Sequence, residues 1–327
     1  MSNTELIGIG APIVDLVAQV DDAFLDQHIT GAKGGMELIE DDALNAHLAQ
    51  LPDFPQRCAG GAASNTTVGC AQLGLRSAFI GCIGDDEYGT FYRQALIDQG
   101  CEPRLLVHDF LPTGRVLCMV TPDAQRTMRT YLGAAVAMDP VGIRADRFED
   151  ARLVMLEGYA LHQPAMARAI AAAAHEAGCQ LALDLASFEV VEAHRDLIAE
   201  LLDGPVDLVF ANQDEALAWR PEGIETALED LAARTRVAAV KMGADGAWIL
   251  SQGQRHHVEA HTVEAVDTTG AGDCWAAGFL AGYLRDLPLD VCGTLGAMAG
   301  AAVVQVTGAQ PDREQWLRVR GYLEAFA

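Results

Sequence analysis

Short runs of β-branched and apolar residues alternate along the chain with longer stretches rich in Ala and Leu, and this alternation limits the fold more than any other feature. Residues 77–80, 153–156, 181–184, 206–210 and 237–241 read as buried strands. Helical spacing follows at 88–99, 165–177, 190–202 and 225–234. Strand and helix in repeated succession predict a mostly parallel sheet with helices on both faces. Ligands of such sheets sit beyond the carboxyl ends of the strands. Asp184, Asn212, Lys241 and the segment 267–273 all follow predicted strands, so they should meet along one edge. Two segments, 12–40 and 105–132, break the alternation with strand-like runs and no long helix between them. Runs at 115–121 and 126–132 flank Pro122-Asp123-Ala124-Gln125, a hairpin pattern. A small β lid over the sheet edge accounts for both segments. No linker long enough to separate domains interrupts the 327 residues, so one domain over 1–327 is expected.

Asp267-Thr268-Thr269-Gly270-Ala271-Gly272-Asp273 follows a short apolar stretch and runs straight into a helical pattern at 274–284. Gly270, Ala271 and Gly272 carry little or no side chain, so a charged ligand can approach the backbone. The N–H groups of a helix's first turn lack internal partners, and the helix dipole adds partial positive charge there. Together they form an anion site suited to phosphate. An Asp in that turn would repel a phosphate; it makes sense as a base that takes a proton from an attacking hydroxyl. An isolated Gly-Asp would more simply be an Asp stabilising a helix start. Two Asp bracketing this small-residue loop favour phosphate chemistry.

The segment 267–273 resembles the C-terminal signature of the ribokinase-like, or PfkB, family of carbohydrate and nucleoside kinases. Ala59-Gly60-Gly61-Ala62-Ala63-Ser64-Asn65 resembles the family's N-terminal substrate segment. Gly81-Cys82-Ile83-Gly84-Asp85-Asp86-Glu87-Tyr88-Gly89 resembles its G-x-D-x-x-G turn, and Asn212-Gln213-Asp214-Glu215 its N-x-x-E. The four motifs stand in family order over nearly the whole chain. Pro112-Thr113-Gly114-Arg115 and Gly31-Ala32-Lys33-Gly34-Gly35-Met36 look most like the adenosine-kinase-like branch. The resemblance implies a ribokinase-like three-layer α/β/α fold with a small β lid. It implies ATP and Mg²⁺ as cofactors and transfer of the γ-phosphoryl group to a hydroxymethyl group. Adenosine is the first candidate acceptor. A sugar such as ribose, fructose or a deoxy-sugar acid is the alternative within the same chemistry. A ligand-binding relative without turnover is a third reading, against which the intact Asp273 and glycine loop argue.

The family's roles carry over residue by residue. Asp273 is the implied base, and the backbone N–H groups of Gly270, Ala271, Gly272 and Asp273 stabilise the transferred group. Asp267 fixes the loop or a monovalent cation (K⁺) beside it. Asp15, Gly60, Gly61 and Asn65 are the implied substrate contacts; on the residues alone Asp15 is equally a turn residue and Asn65 a polar group near a helix start. Arg115 either lines the lid side of the pocket or sits on a strand surface, and an acidic substrate would need it as the local cation. Glu215 is implied to act on Mg²⁺ through water, beside Asn212; read alone the pair is a capping box. Lys241-Met242-Gly243-Ala244-Asp245-Gly246 resembles the nucleotide-side G-x-x-G turn of the family. Many relatives carry a small hydroxyl residue at the place of Lys241, which pairs here either with ATP phosphates or with an acidic neighbour. Thr269 joins this nucleotide side. Ala301, Ala302 and Gly308 lie where relatives wall the adenine, although small residues there also serve helix packing.

Composition removes several classes. A net charge of −24 argues against nucleic acid and against an anionic membrane surface. Neither of the two lysines belongs to a G-x-x-x-x-G-K-[ST] loop, and Trp275 stands where a dinucleotide fingerprint needs its third Gly. His256, His257 and His261 with Glu259 invite a metal reading, but an exposed strand face carries such residues as readily. Eight scattered cysteines without a C-x-x-C read as reduced thiols of a cytoplasmic protein. A strand pattern begins almost at once, so no signal peptide is expected. The uncharged run 291–310 holds too many Gly, Thr and Gln for a membrane span; it predicts a core helix ending near Val306. The expected partner is a small molecule. A lid edge either stays free in a monomer or pairs in a homodimer.

Overall fold

The computed structural model of the chain describes residues 4–123 and 125–326. Ala124, in the turn expected between the hairpin strands, lies outside the described residues. The strands of the first half are β1 (Leu6–Ile9), β2 (Ile13–Gln19), β3 (Met36–Leu38), β4 (Gln56–Gly60), β5 (Ser77–Gly84), β6 (Glu102–His108), β7 (Gly114–Val120) and β8 (Arg126–Tyr131). The second half adds β9 (Leu153–Glu157), β10 (Gln180–Asp184), β11 (Leu208–Asn212), β12 (Val237–Lys241), β13 (Ala247–Ser251) and β14 (Gln254–Val258).

Among the described residues nine strands form a large sheet in the order β14-β13-β12-β11-β10-β9-β1-β5-β6. From β12 to β6 neighbouring strands run parallel; β13 and β14 close one edge antiparallel. Both faces are covered, which is why these strands read as continuous apolar runs. Ile7, Val154, Leu181 and Val209 pack on one side against the helices Pro164–Glu176, Phe188–Leu202 and Ile224–Arg234. Leu6, Met155, Leu208 and Phe210 pack on the other against Ala271–Tyr283, Leu289–Val303 and Arg313–Glu324. The result is the three-layer α/β/α ribokinase-like arrangement. From β1 the chain builds outward to β5 and β6, then returns to β9 and builds the other way. The β1–β9 junction is therefore the switch point, where ligands of open α/β sheets bind.

A second sheet, of five strands among the described residues, runs β3-β8-β7-β2-β4. The two expected lid segments supply β2, β3, β7 and β8, but their boundaries need correction. β4 lies outside both segments: Gln56-Arg57-Cys58-Ala59-Gly60 has neither β-branched residues nor alternation, and becomes a strand by pairing with β2. The start of 105–132 belongs to β6 in the large sheet, and a helix, Asp22–His28, lies inside 12–40. The expected core helix ends earlier than Val306, at Val303. The next turns tighten to i→i+3 bonds at Gln305 and Val306, and Gly308 takes a φ of +105°. Strand β11 starts and ends two residues later than expected, so Asn212 is its last residue. Among the described residues no helix is long and apolar enough to cross a membrane, and the eight cysteines are free thiols.

Candidate active site

At the switch point β9 ends in an acidic residue after four apolar ones. Glu157 is 2 % exposed, and its two oxygens accept from the backbone N–H of Ala11 at 2.8 Å and of Ala63 at 2.9 Å. It thus ties the turn after β1 to the first turn of the helix Ala62–Gln72. Burial pushes its carboxyl up to about 7 against the pull of those two bonds, and the charges of Asp273 and Asp184 add to the rise.

The helix that Glu157 anchors carries Asn65, whose Nδ2 donates to Asp273 Oδ2 at 2.9 Å. The Asn65 carbonyl in turn accepts from Gln310 at 3.0 Å. Burial pushes Asp273 up to about 6, and the Asn65 bond opposes that rise. Asp273 stands in the first turn of Ala271–Tyr283. The helix starts from Gly270 at φ +74°, where a side chain would meet the Ala309 carbonyl at 2.6 Å, so only Gly serves. Among the described residues the N–H groups of Gly270, Gly272 and Asp273 have no protein acceptor. The Ala271 N–H donates to the Thr268 carbonyl at 3.2 Å.

Asp267 fixes the loop. Its carboxylate accepts from Thr269 N (3.0 Å), Thr269 Oγ1 (2.8 Å) and Gly308 N (2.8 Å), and pairs with Arg126. Burial works against its charge, but these bonds and Arg126 outweigh it and hold the carboxyl below the usual range. Arg126 also donates to Thr269 Oγ1 at 2.6 Å. It comes from β8, so one cation of the second sheet reaches the glycine loop. Sequence reasoning missed it because nothing local marks a hairpin Arg that closes across 141 residues. Glu157 had a signal: an acidic residue closing a run of buried apolar ones.

Asp15 lies in β2 beside Val116 of β7 and Cys58 of β4. Burial pushes it up to about 6, with Arg126 opposing. Gly60 makes room for it, since a side chain there would come within 2.8 Å of Asp15 Oδ2. Gly61 caps the helix that bears Asn65. Arg115 does not join this group. It pairs in register with Val14, one residue from Asp15, and successive residues of a strand face opposite ways. Its guanidinium is buried on the far face, ion-paired to Asp41, bonded to Asn45 at 3.1 Å and stacked over Tyr88 and Tyr131. It pins β7 to the body of the protein, on the face away from Asp15.

Across the sheet edge, Asn212 and Glu215 form the capping box. The Glu215 N–H donates to Asn212 Oδ1 at 2.9 Å, and Glu215 accepts from Asn212 N at 2.7 Å and Nδ2 at 2.6 Å. Burial, then the charge of Asp184, pushes Glu215 up to about 7. Lys241 ends β12 and donates to Asp184 Oδ2 at 2.7 Å. Gly243 turns at φ +58° into open space, whereas Gly246 is needed because the Val258 carbonyl would lie 1.9 Å from any Cβ. Ala302 is buried near the end of Leu289–Val303. His257 packs tilted against Trp248 and bonds the Asp245 carbonyl. Among the described residues no three His, Cys, Asp or Glu side chains group as a metal cage, so the histidine-rich stretch at 256–261 forms none.

Similarity to known proteins agrees with this geometry. The model of the pfkB family carbohydrate kinases matches residues 37–316. An adenosine kinase of Dictyostelium discoideum is 28 % identical over 334 residues, covering 94 % of this chain and 97 % of its own. An aminoimidazole riboside kinase of Salmonella typhimurium is 32 % identical over 239 residues, 68 % of this chain and 73 % of that protein. The crystal structure of an adenosine kinase from Sinorhizobium meliloti superposes with a TM-score of 0.87 at 35 % identity, covering 98 % of this chain and 99 % of that one. Kinases of this kind transfer phosphoryl groups to hydroxyls. The chain belongs to the pfkB family of carbohydrate kinases.

Proposed function

We propose that this kinase phosphorylates the hydroxymethyl group of a nucleoside, adenosine first, using ATP and Mg²⁺. One observation carries the proposal: a carboxyl, Asp273, is held by Asn65 at the start of a helix whose N–H groups stand free. Asp273 takes the proton of the acceptor hydroxyl. The N–H groups of Gly270, Gly272 and Asp273 hold charge on the transferring group. Arg126 extends that positive surface from the second sheet, and Thr269 positions it. Asp15 accepts from sugar hydroxyls, with the Gly60-Gly61 backbone and Asn65 around it. ATP would supply the phosphoryl group, held along Lys241, Asn212, Gly243 and Ala302. Glu215 offers the hard oxygen donors that Mg²⁺ takes, through its water shell. Arg126 already neutralises Asp267, so K⁺ has no part in this proposal.

The second sheet favours a nucleoside over a bare sugar. The pairing registers put Ile13, Val17, Met36, Leu38 and Met128 on the same face as Asp15. Met36 and Leu38 are 56 % and 60 % exposed. An apolar face of this kind suits a flat base beside the sugar. Burying about 100 Å² of base at ~25 cal/mol/Å² corresponds to a kcat/KM advantage of roughly 70-fold over the free sugar. A coupled assay for ADP release across nucleosides and sugars tests this. Turnover confined to a free sugar would refute the nucleoside reading, and silence throughout would bring forward a non-catalytic binder.

Acid should switch the enzyme off through two groups. Asp273 and Asp15 both rise to about 6 and both act ionised. Below pH 6 kcat/KM should therefore fall with a slope approaching two, about a hundredfold per pH unit. Asn65→Ala removes the bond that lowers the Asp273 pKa, so its acid limb should move to higher pH. A limb that stays in place would separate Asn65 from the base.

A further inference from the structure

We propose that Lys241 is an exchangeable phosphate-binding cation. It rests on Asp184 in the ligand-free protein and transfers to the nucleotide's phosphate oxygens on binding. The inference rests on the kinase reading above and specifies which residue meets the triphosphate charge. Lys241 and Asp184 leave only 11 % of their side chains exposed, so the pair is poorly screened. An ammonium carries three donors. Among the described residues Lys241 Nζ has one hydrogen-bond acceptor, Asp184 Oδ2 at 2.7 Å. The remaining donors have no protein partner and are open to another acceptor.

Position points to what that is. Nζ lies 3.1 Å from where a Cβ on Gly272 would stand, directly over the helix start with the free N–H groups. A side chain at Gly272 would fill the space between the ammonium and those amides. Lys241 thus adds a full charge to the partial charge of the helix end, and both face one small volume. Asp184 does not depend on the lysine for its place: its other oxygen accepts from the Ala186 N–H at 3.0 Å. Glu215 has both oxygens engaged by Asn212. Lys241 is therefore the mobile member, with a flexible four-carbon stem. In the resting state Asp184 competes with any phosphate for it.

That competition gives opposite signs for the two substitutions. Isothermal titration calorimetry with ATP in EDTA, on the full chain, reads them. Lys241→Met should weaken binding at least about tenfold, the loss of one charge-assisted contact. Asp184→Asn frees the lysine and should tighten binding about tenfold. In the double variant the tightening relative to Lys241→Met should be clearly smaller than that of Asp184→Asn in the wild type, because only the direct loss of the Asp184 charge remains. That double variant removes both charges of the buried pair, and thermal melting of all four proteins shows which remain folded. Should Asp184→Asn weaken binding, or Lys241→Met leave it unchanged, the lysine is only a structural partner of Asp184 and the proposal falls. Should the wild-type chain bind no ATP with or without Mg²⁺, the kinase reading falls first and this inference with it.

Discussion

Asp273→Asn should turn over about a thousandfold more slowly than the wild-type chain while binding its nucleoside within a few-fold. General-base catalysis contributes roughly 10²–10⁴ in rate, and an amide cannot accept the hydroxyl proton. The shape is retained, and the amide oxygen can still accept from Asn65, so the helix start should keep its form. Removing a negative charge beside the anion loop should hold or tighten ATP affinity, never weaken it. The diagnostic is thus a split: kcat collapses while both dissociation constants stand. Single-turnover kinetics with calorimetry measure it. A kcat within tenfold of wild type would remove Asp273 as the base and leave it the helix-start residue that a lone Gly-Asp suggests.

Glu157→Ala should cost about 3 kcal/mol of stability, read by urea unfolding at pH 7.5. It strips acceptors from two backbone N–H groups at the switch point, and each orphaned buried donor costs roughly 1–3 kcal/mol. Glu157→Gln should fall between, since one of its two positions stays an acceptor. The same residue links stability to pH. Asp15, Asp273, Glu157 and Glu215 rise to about 6, 6, 7 and 7 in the folded chain. Each lies above its value of about 4 in an unfolded chain, so the folded state holds more protons between these limits. Their contribution is complete below pH ~4 and is lost as pH rises through 6 to 7. The ligand-free protein should accordingly melt at a higher temperature at pH 5.5 than at pH 8, and Glu157→Ala should flatten the difference. A wild-type melting temperature that climbs from pH 5.5 to pH 8 would contradict this.

Much of the frame was legible because a parallel sheet covered on both faces leaves a direct mark. Val237–Lys241 reads as a strand from its own residues, and Lys241 at its end is thereby placed on the ligand edge. The glycine loop is legible for a similar reason: small residues before a helix have few other uses. What stayed hidden depends on distant contacts. β4 has no strand signal of its own and exists by pairing with β2. Arg115 and Arg126 lie in neighbouring strands of one hairpin, and which of them faces the cleft is decided by register alone. A one-residue difference in phase exchanges a cleft-facing cation for a structural pin. The N-x-x-E pair was legible twice over, as a capping box and as a metal-facing motif, and the geometry gives the box directly.

The second sheet behaves as a cantilever. Its root is clamped: Val14, Leu16, Leu117 and Met119 are buried in one core with Phe79, Ile83, Tyr92 and Leu96 of the main body. Arg115 bolts the same back face to Asp41 and Tyr88. Its outer edge is held more lightly: β3 is exposed along its length, Lys33 ties the rim to Asp22 and Asp123 by surface ion pairs worth little, and β8 meets the glycine loop through Arg126. A loaded cantilever deflects most at its tip. Closure over a ligand should therefore be a curling of the outer strands β3 and β8 about a fixed root, carrying Arg126 with them. Protection from hydrogen exchange on ligand binding should rise steeply toward that rim and stay nearly constant in β2 and β7.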